Sequence, residues 1–210
     1  MKRLLTCMAF GLTAFASQAV TPLWMRDVQI SPDGSTVAFC YKGDIYTVDA
    51  KGGAAKQLTT QDSYECTPIW SPDGKQIAFA SDRDGNFDIY IMSANGGSAK
   101  KLTKLSVSEM PSTFTPDGKH VVFSASIQDP AQSALFPTSA MPELYQVPVE
   151  GGRTKQIIAT PAEAVCYVKD GKSFLYQDRK GFEDEWRKHH TSSITRDIWL
   201  YDAKSGKHTN

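Results

Sequence analysis

Ile69-Trp70-Ser71-Pro72-Asp73-Gly74-Lys75-Gln76-Ile77-Ala78-Phe79-Ala80-Ser81-Asp82-Arg83-Asp84-Gly85-Asn86-Phe87-Asp88-Ile89-Tyr90 is the stretch from which the rest of the chain can be read. A turn signal, an apolar run, a polar loop and a second apolar run follow one another. In Ser-Pro-Asp-Gly the proline presets φ, the aspartate bonds local backbone, and the glycine takes the positive φ of a tight turn. Runs of four to six β-branched and aromatic residues between such turns read as strands.

The same order occurs on both sides of this stretch. Ser31-Pro32-Asp33-Gly34 stands 40 residues before Ser71, and Thr115-Pro116-Asp117-Gly118 stands 44 after it. Each turn leads into an alternating run: Val37-Ala38-Phe39, Ile77-Ala78-Phe79 and Val121-Val122-Phe123. An acidic residue with an aliphatic and an aromatic comes next, in Asp44-Ile45-Tyr46, Asp88-Ile89-Tyr90 and Glu143-Leu144-Tyr145. Glycine pairs then mark another hairpin, at 52–53, 96–97 and 151–152, before the endings Lys56-Gln57-Leu58-Thr59 and Lys100-Lys101-Leu102-Thr103. A worn fourth copy runs from Val168-Lys169-Asp170-Gly171 through Asp197-Ile198-Trp199 to Ser205-Gly206, and its outer strand is expected to lie past Asn210.

A unit of about 40 residues with four strands is the signature of a β-propeller blade. One blade cannot bury both of its faces, so neighbouring blades must stack. The predicted fold is therefore all-β: four-stranded antiparallel blades over 24–62, 63–106, 107–161 and 162–210, the last incomplete. Innermost strands are expected near 28–31, 68–71, 112–115 and 165–168. Trp70, Phe79, Tyr90, Phe123, Tyr145, Tyr176 and Trp199 are expected to be substantially covered, except where the missing blades leave a face open. Four blades do not close a ring, so the first and last should expose apolar faces and favour self-association.

Residues 1–19 read differently. Met1-Lys2-Arg3 is a basic start, Leu4 to Ala16 is apolar but too short to span a bilayer, and Ser17-Gln18-Ala19 is a small-x-small cleavage site. This is the pattern of a secretory signal peptide, which predicts an exported, periplasmic or secreted protein with no membrane attachment after cleavage. The whole chain carries 23 basic and 23 acidic side chains. Losing Lys2 and Arg3 with the leader leaves twenty-one against twenty-three, a net of −2, with no nucleic-acid footprint.

Cys40, Cys66 and Cys166 remain in the exported part, without metal-ligand spacing, and are expected to be free, buried small hydrophobes. The segment Asp82 to Asp88 alternates oxygen ligands but lacks the glycine and glutamate spacing of an EF-hand, so it reads as a hairpin loop. The four histidines and the serines form no nucleophile elbow, and no catalytic, metal or cofactor residue is expected in this chain. The longest insertion, Lys180 to Arg196, is the candidate recognition or docking loop. It gathers Trp186, Arg187, His189, His190 and Arg196. Adjacent histidines on an extended strand point to opposite sides and do not chelate one ion. Gln128 to Met141 is a second rim loop.

The stretch quoted first resembles the WD40-like Pro-Asp repeat of TolB-type propellers. Leu23-Trp24-Met25-Arg26 leading into the first turn resembles the mature start of secreted bacterial tricorn protease homologues. Trp186-Arg187-Lys188-His189-His190 and Arg196-Asp197-Ile198-Trp199-Leu200-Tyr201-Asp202 resemble the same family. The resemblance implies the amino-terminal part of a six- or seven-bladed propeller, in a larger serine protease whose catalytic residues lie elsewhere. It implies a role in substrate admission, with peptide or protein substrates and downstream domains of the same chain as partners. Two other readings stay open: a TolB-like non-enzymatic scaffold, and the cap of a prolyl-oligopeptidase-like peptidase.

Overall fold

Residues 24–127, 141–178 and 196–210 are described by a computed structural model. Among them every regular element is a strand, and no helix occurs. Blade 1 holds β1 (Arg26–Ile30), β2 (Thr36–Tyr41), β3 (Asp44–Asp49) and β4 (Lys56–Gln57). Blade 2 holds β5 (Glu65–Trp70), β6 (Gln76–Ser81), β7 (Asp88–Ser93) and β8 (Lys100–Lys101). In blade 3 these are β9 (Glu109–Phe114), β10 (His120–Ala125), β11 (Glu143–Pro148) and β12 (Lys155–Ile158). In blade 4 they are β13 (Ala162–Tyr167), β14 (Phe174–Asp178), β15 (Ile198–Asp202) and β16 (Lys207–Thr209). Each sheet is an antiparallel meander in chain order, and each new inner strand packs on the blade before it.

The predicted turns have a shared chemistry. Ser31 Oγ donates to Asp33 Oδ1 at 2.6 Å while accepting from the Thr36 amide at 2.9 Å, so one hydroxyl and one carboxylate close the turn. Ser71 with Asp73 and Thr115 with Asp117 repeat it at 2.7 and 2.6 Å. Val168 has no hydroxyl, and Asp170 there accepts the amides of Lys172 and Ser173 instead. The glycine of the turn has a second role. A Cβ on Gly74 would sit 3.8 Å from Pro32 Cδ, and one on Gly118 would sit 3.7 Å from Pro72 Cδ. Each turn proline therefore rests against the turn glycine of the next blade, where φ is near +70°.

The Ser31 hydroxyl and the Ser35 amide hold the Asp33 carboxyl down at about 2, and Asp73, Asp117 and Asp170 are lowered by equivalent bonds. A depressed carboxyl contributes stability above its unfolded value of 3.8, which is lost as pH falls through the folded value. Acidification from pH 4 to pH 2 should therefore loosen all four turns together. Faster amide exchange at Thr36, Gln76 and His120 would show it; exchange unchanged down to pH 2 would refute it.

Successive side chains point to opposite faces of a strand. In blade 2, where β6 and β7 are buried almost throughout, Ile77 and Phe79 therefore enter the seam with blade 1 and Ala78 the seam with blade 3. Ala38, Cys40 and Ile45 of blade 1 meet Ile77, Phe79, Tyr90 and Met92 of blade 2. Ile69, Ala78, Ile89 and Ile91 meet Phe114, Val121, Phe123 and Tyr145 of blade 3, and Val122 and Leu144 meet Val165, Phe174 and Tyr176 of blade 4. Alanine, cysteine and aliphatic side chains of one blade thus receive the aromatic side chains of the following one. The four blades do not close on themselves. All of β1 is exposed, with Ile30 at 58% of full accessibility, as are Trp24 just before it at 78% and Ile198 of blade 4.

Two expectations are corrected, one on the fourth sheet and one on Cys166. The outer strand of the fourth sheet lies within the chain: β16 pairs with β15 because Asp202 accepts from the Lys204 amide and closes the turn early. Trp70 and Trp199 are partly buried, and their indole N–H groups reach Gln29 O and Asp178 Oδ2, both at 3.2 Å. Cys40 and Cys66 are free and buried as expected, but Cys166 is exposed, because its side of β13 has no blade against it.

Candidate docking rim

The meander order places two sets of connections on one edge of the propeller. These are the hairpins between second and third strands (Lys42-Gly43 in blade 1, residues 82–87 in blade 2) and the joints from each outer strand to the next inner strand. The chain leaves β10 and β14 for the two long insertions on this same edge. Trp186, Arg187, His189 and His190 lie outside the described residues. Arg196 is described, and its guanidinium bonds Glu163 Oε2 of β13 at 3.3 Å. Below it the hairpin is tied at its root: Asp197 N donates to Asp178 Oδ1 at 2.7 Å, and Asp178 N to Asp197 O at 3.0 Å.

Among the described residues, the blade 2 hairpin is heavily bonded to the rest of the rim. Gly85, at φ +110°, turns the loop, as expected of a hairpin. Arg83 pairs with Glu65, receives support from Ser81 Oγ at 2.9 Å, and lies 4.2 Å over the Tyr90 ring. Lys101 bridges Asp84 at 2.7 Å and Asp88 at 2.6 Å. Its ammonium is pushed up: burial opposes the charge, but the two carboxylates outweigh burial. Burial and the bond to Asp84 push the Tyr90 hydroxyl up to about 12. Asn86 Nδ2 donates to Leu105 O and Val107 O, which fixes the joint between blades 2 and 3.

Buried Glu65 and Glu109 are rim residues that the sequence search passed over. Their signal was available: each stands six residues before the serine or threonine of its turn. Two grooves open nearby. One, of about 680 Å³, runs between blades 2 and 3 and is lined by Lys101, Lys104, Ile127, Tyr145 and Arg153. Another, of about 510 Å³, lies on the open face of blade 1 among Trp24, Arg26, Tyr41, Lys42 and Tyr64. Among the described residues no three metal-ligating side chains come together, and no helix is long and apolar enough to cross a membrane.

Known proteins share this architecture. A TolB-type protein from Agrobacterium tumefaciens superposes with a TM-score of 0.66 at 24% identity, over 87% of this chain and 63% of that one. The tricorn protease gives 0.65 at 15% identity, over 88% of this chain and 22% of that one. At these identities the likeness is one of fold. Dipeptidyl-peptidase 5 of Porphyromonas gingivalis is 32% identical over 72 residues, which is 30% of this chain and 10% of that enzyme. The chain thus matches a small part of a much longer relative. The model of the tricorn protease N-terminal beta propeller domain matches residues 22–210. This repeat, with its blades, turns and rim, is that domain: the chain belongs to the family of tricorn protease N-terminal beta propellers.

Proposed function

We propose that this propeller is the substrate-admission and docking module of an exported, peptidase-related protein, and that the chemistry is done by residues outside it. Its rim would select polypeptides by shape and contact, and would seat further domains of the same chain. The observation that carries this reading is the rooted insertion of blade 4. Asp178 and Asp197, the described residues on either side of this insertion, hold its two ends on the rim. Tryptophan and arginine dominate recognition energy where a loop meets a partner.

Trp186→Ala with Arg187→Ala, in the full-length protein, should lower cleavage of long polypeptides by about tenfold or more. Hydrolysis of a short peptide that needs no admission should be unchanged. If long and short substrates and the protein's assembly all stay at wild-type level while the fold survives, the loop has no such role. The same preparation, recovered from an exporting host, should begin at Val20.

A further inference from the structure

Glu65 and Glu109 occupy one place in consecutive blades. Each opens its inner strand, and each is fully buried. Glu65 pairs across the sheet with Ser81, and Glu109 with Ala125. Two residues further on stand Arg83 in blade 2 and Ile127 in blade 3.

That one difference changes the chemistry. Glu65 Oε1 receives Arg83 and the Ser63 hydroxyl. Ile127 instead packs into the apolar seam between blades 2 and 3 and has no charge to offer. Glu109 accepts from Thr103 Oγ1 at 2.7 Å and feels the Leu105 amide, and among the described residues its Oε1 has no hydrogen-bond partner. The charged groups facing it come from blade 2. Asp88 on β7 also has an oxygen without a partner, and Lys101 on β8 is already shared by Asp84 and Asp88. The backbone is tied at the same point, since the Glu109 amide donates to Phe87 O at 2.8 Å.

We propose that Glu109 is a proton-operated latch in the seam between blades 2 and 3, closed when its carboxyl is protonated and released when it ionises beside Asp88. Protonated, the group needs no counter-ion and keeps its bond to Thr103. Ionised, it is a second buried negative charge beside a lysine that Asp84 and Asp88 already share, with no other cation facing it among the described residues, a state that the seam relieves by opening to water. Opening frees the joint at 102–108, which Thr103 and Asn86 now hold, and so moves one segment of the rim.

Burial acts first on this carboxyl and the Asp88 charge adds to it, while the Thr103 hydroxyl, the Leu105 amide and the Lys101 charge pull the other way; the result is a value raised from 4.5 to about 7. The sign follows from linkage. A raised carboxyl contributes fully below about 4.5, and its contribution is lost as pH rises through about 7. This is opposite to the turn aspartates, so the two effects separate in a titration.

Amide hydrogen exchange of the full chain at pH 5 and pH 8, corrected for intrinsic rates, tests the latch. Opening reported by the Ile89, Leu102 and Glu109 amides should rise on the order of 100-fold at the higher pH. The Ile45 and Leu58 amides, in the seam between blades 1 and 2, should not follow. Glu109→Gln should abolish the difference, and Ile127→Arg should shrink it by supplying the missing guanidinium. Should the arginine variant fail to fold, a carbon-13 carboxyl titration of Glu109 in the wild type decides the matter. A midpoint near 7 supports the latch and one below 5 overturns it. Equal opening at both pH values, or a pH dependence that survives Glu109→Gln, also overturns it.

Discussion

Arg83→Met is expected to cost about 3–5 kcal/mol, the usual penalty for stranding one member of a buried ion pair. Glu65 is fully buried, and its second carboxylate oxygen already has no partner, so removing the guanidinium leaves the charge with two serine hydroxyls. The same side chain covers the Phe79 and Tyr90 rings, so packing is lost with it. Thermal denaturation should shift down by roughly 10 °C for a chain of this size. Combining Arg83→Met with Glu65→Leu should recover most of the loss, because an apolar pair of similar volume needs no charge compensation. A single variant that melts within a degree or two of wild type would show that the pair is dispensable.

Phe79→Ala should be as damaging, by about 3–5 kcal/mol, through the cavity left at the centre of the seam between blades 1 and 2. Phe79 is inaccessible to solvent, stacks on Tyr90 with ring centroids 6.0 Å apart, and packs with Ala38, Cys40 and Ile45 of the blade before it. Phe39 holds the same position in blade 1 and stacks on Tyr46 at 5.7 Å, yet it belongs to none of the three seams. Phe39→Ala should cost clearly less. Urea denaturation of the two variants under the same conditions makes the comparison; equal losses would mean that stability resides within blades and not between them.

The turns show how far local chemistry reaches. Ser31, Ser71 and Thr115 had no assigned task beyond their place in a repeat, although each closes its turn through a bond to the aspartate two residues on. The same logic explains why the fourth copy is recognisable despite its wear: Asp170 and Gly171 keep the part of the motif that the backbone needs. The candidate loop was found by its composition and its length relative to the other hairpins. Of its five named residues only Arg196 is described, and that arginine faces Glu163 of its own blade.

The inner strands are where local reading stops. Asp27, Thr67 and Ala164 take φ near +51° at irregularities in β1, β5 and β13, a conformation that none of the three prefers. Blade 3 has Pro111 at this point, which cannot take positive φ, and its register shifts beside Phe123 instead. No residue type announces this bend; it is imposed where each inner strand must pass close to the blade before it.

What the sequence determined by itself is the set of properties with a short period: strand runs, turn residues, four strands to a blade and the family of the repeat. These depend on neighbours a few residues apart, so each copy declares them again. The tertiary structure alone decided which faces meet, and with that the fates of two glutamates at equivalent positions. One finds Arg83 across its own sheet and the other finds Ile127 and a neighbouring blade's Asp88. Charge in a buried site is set by every group that packing brings within a few ångströms, whatever its distance along the chain.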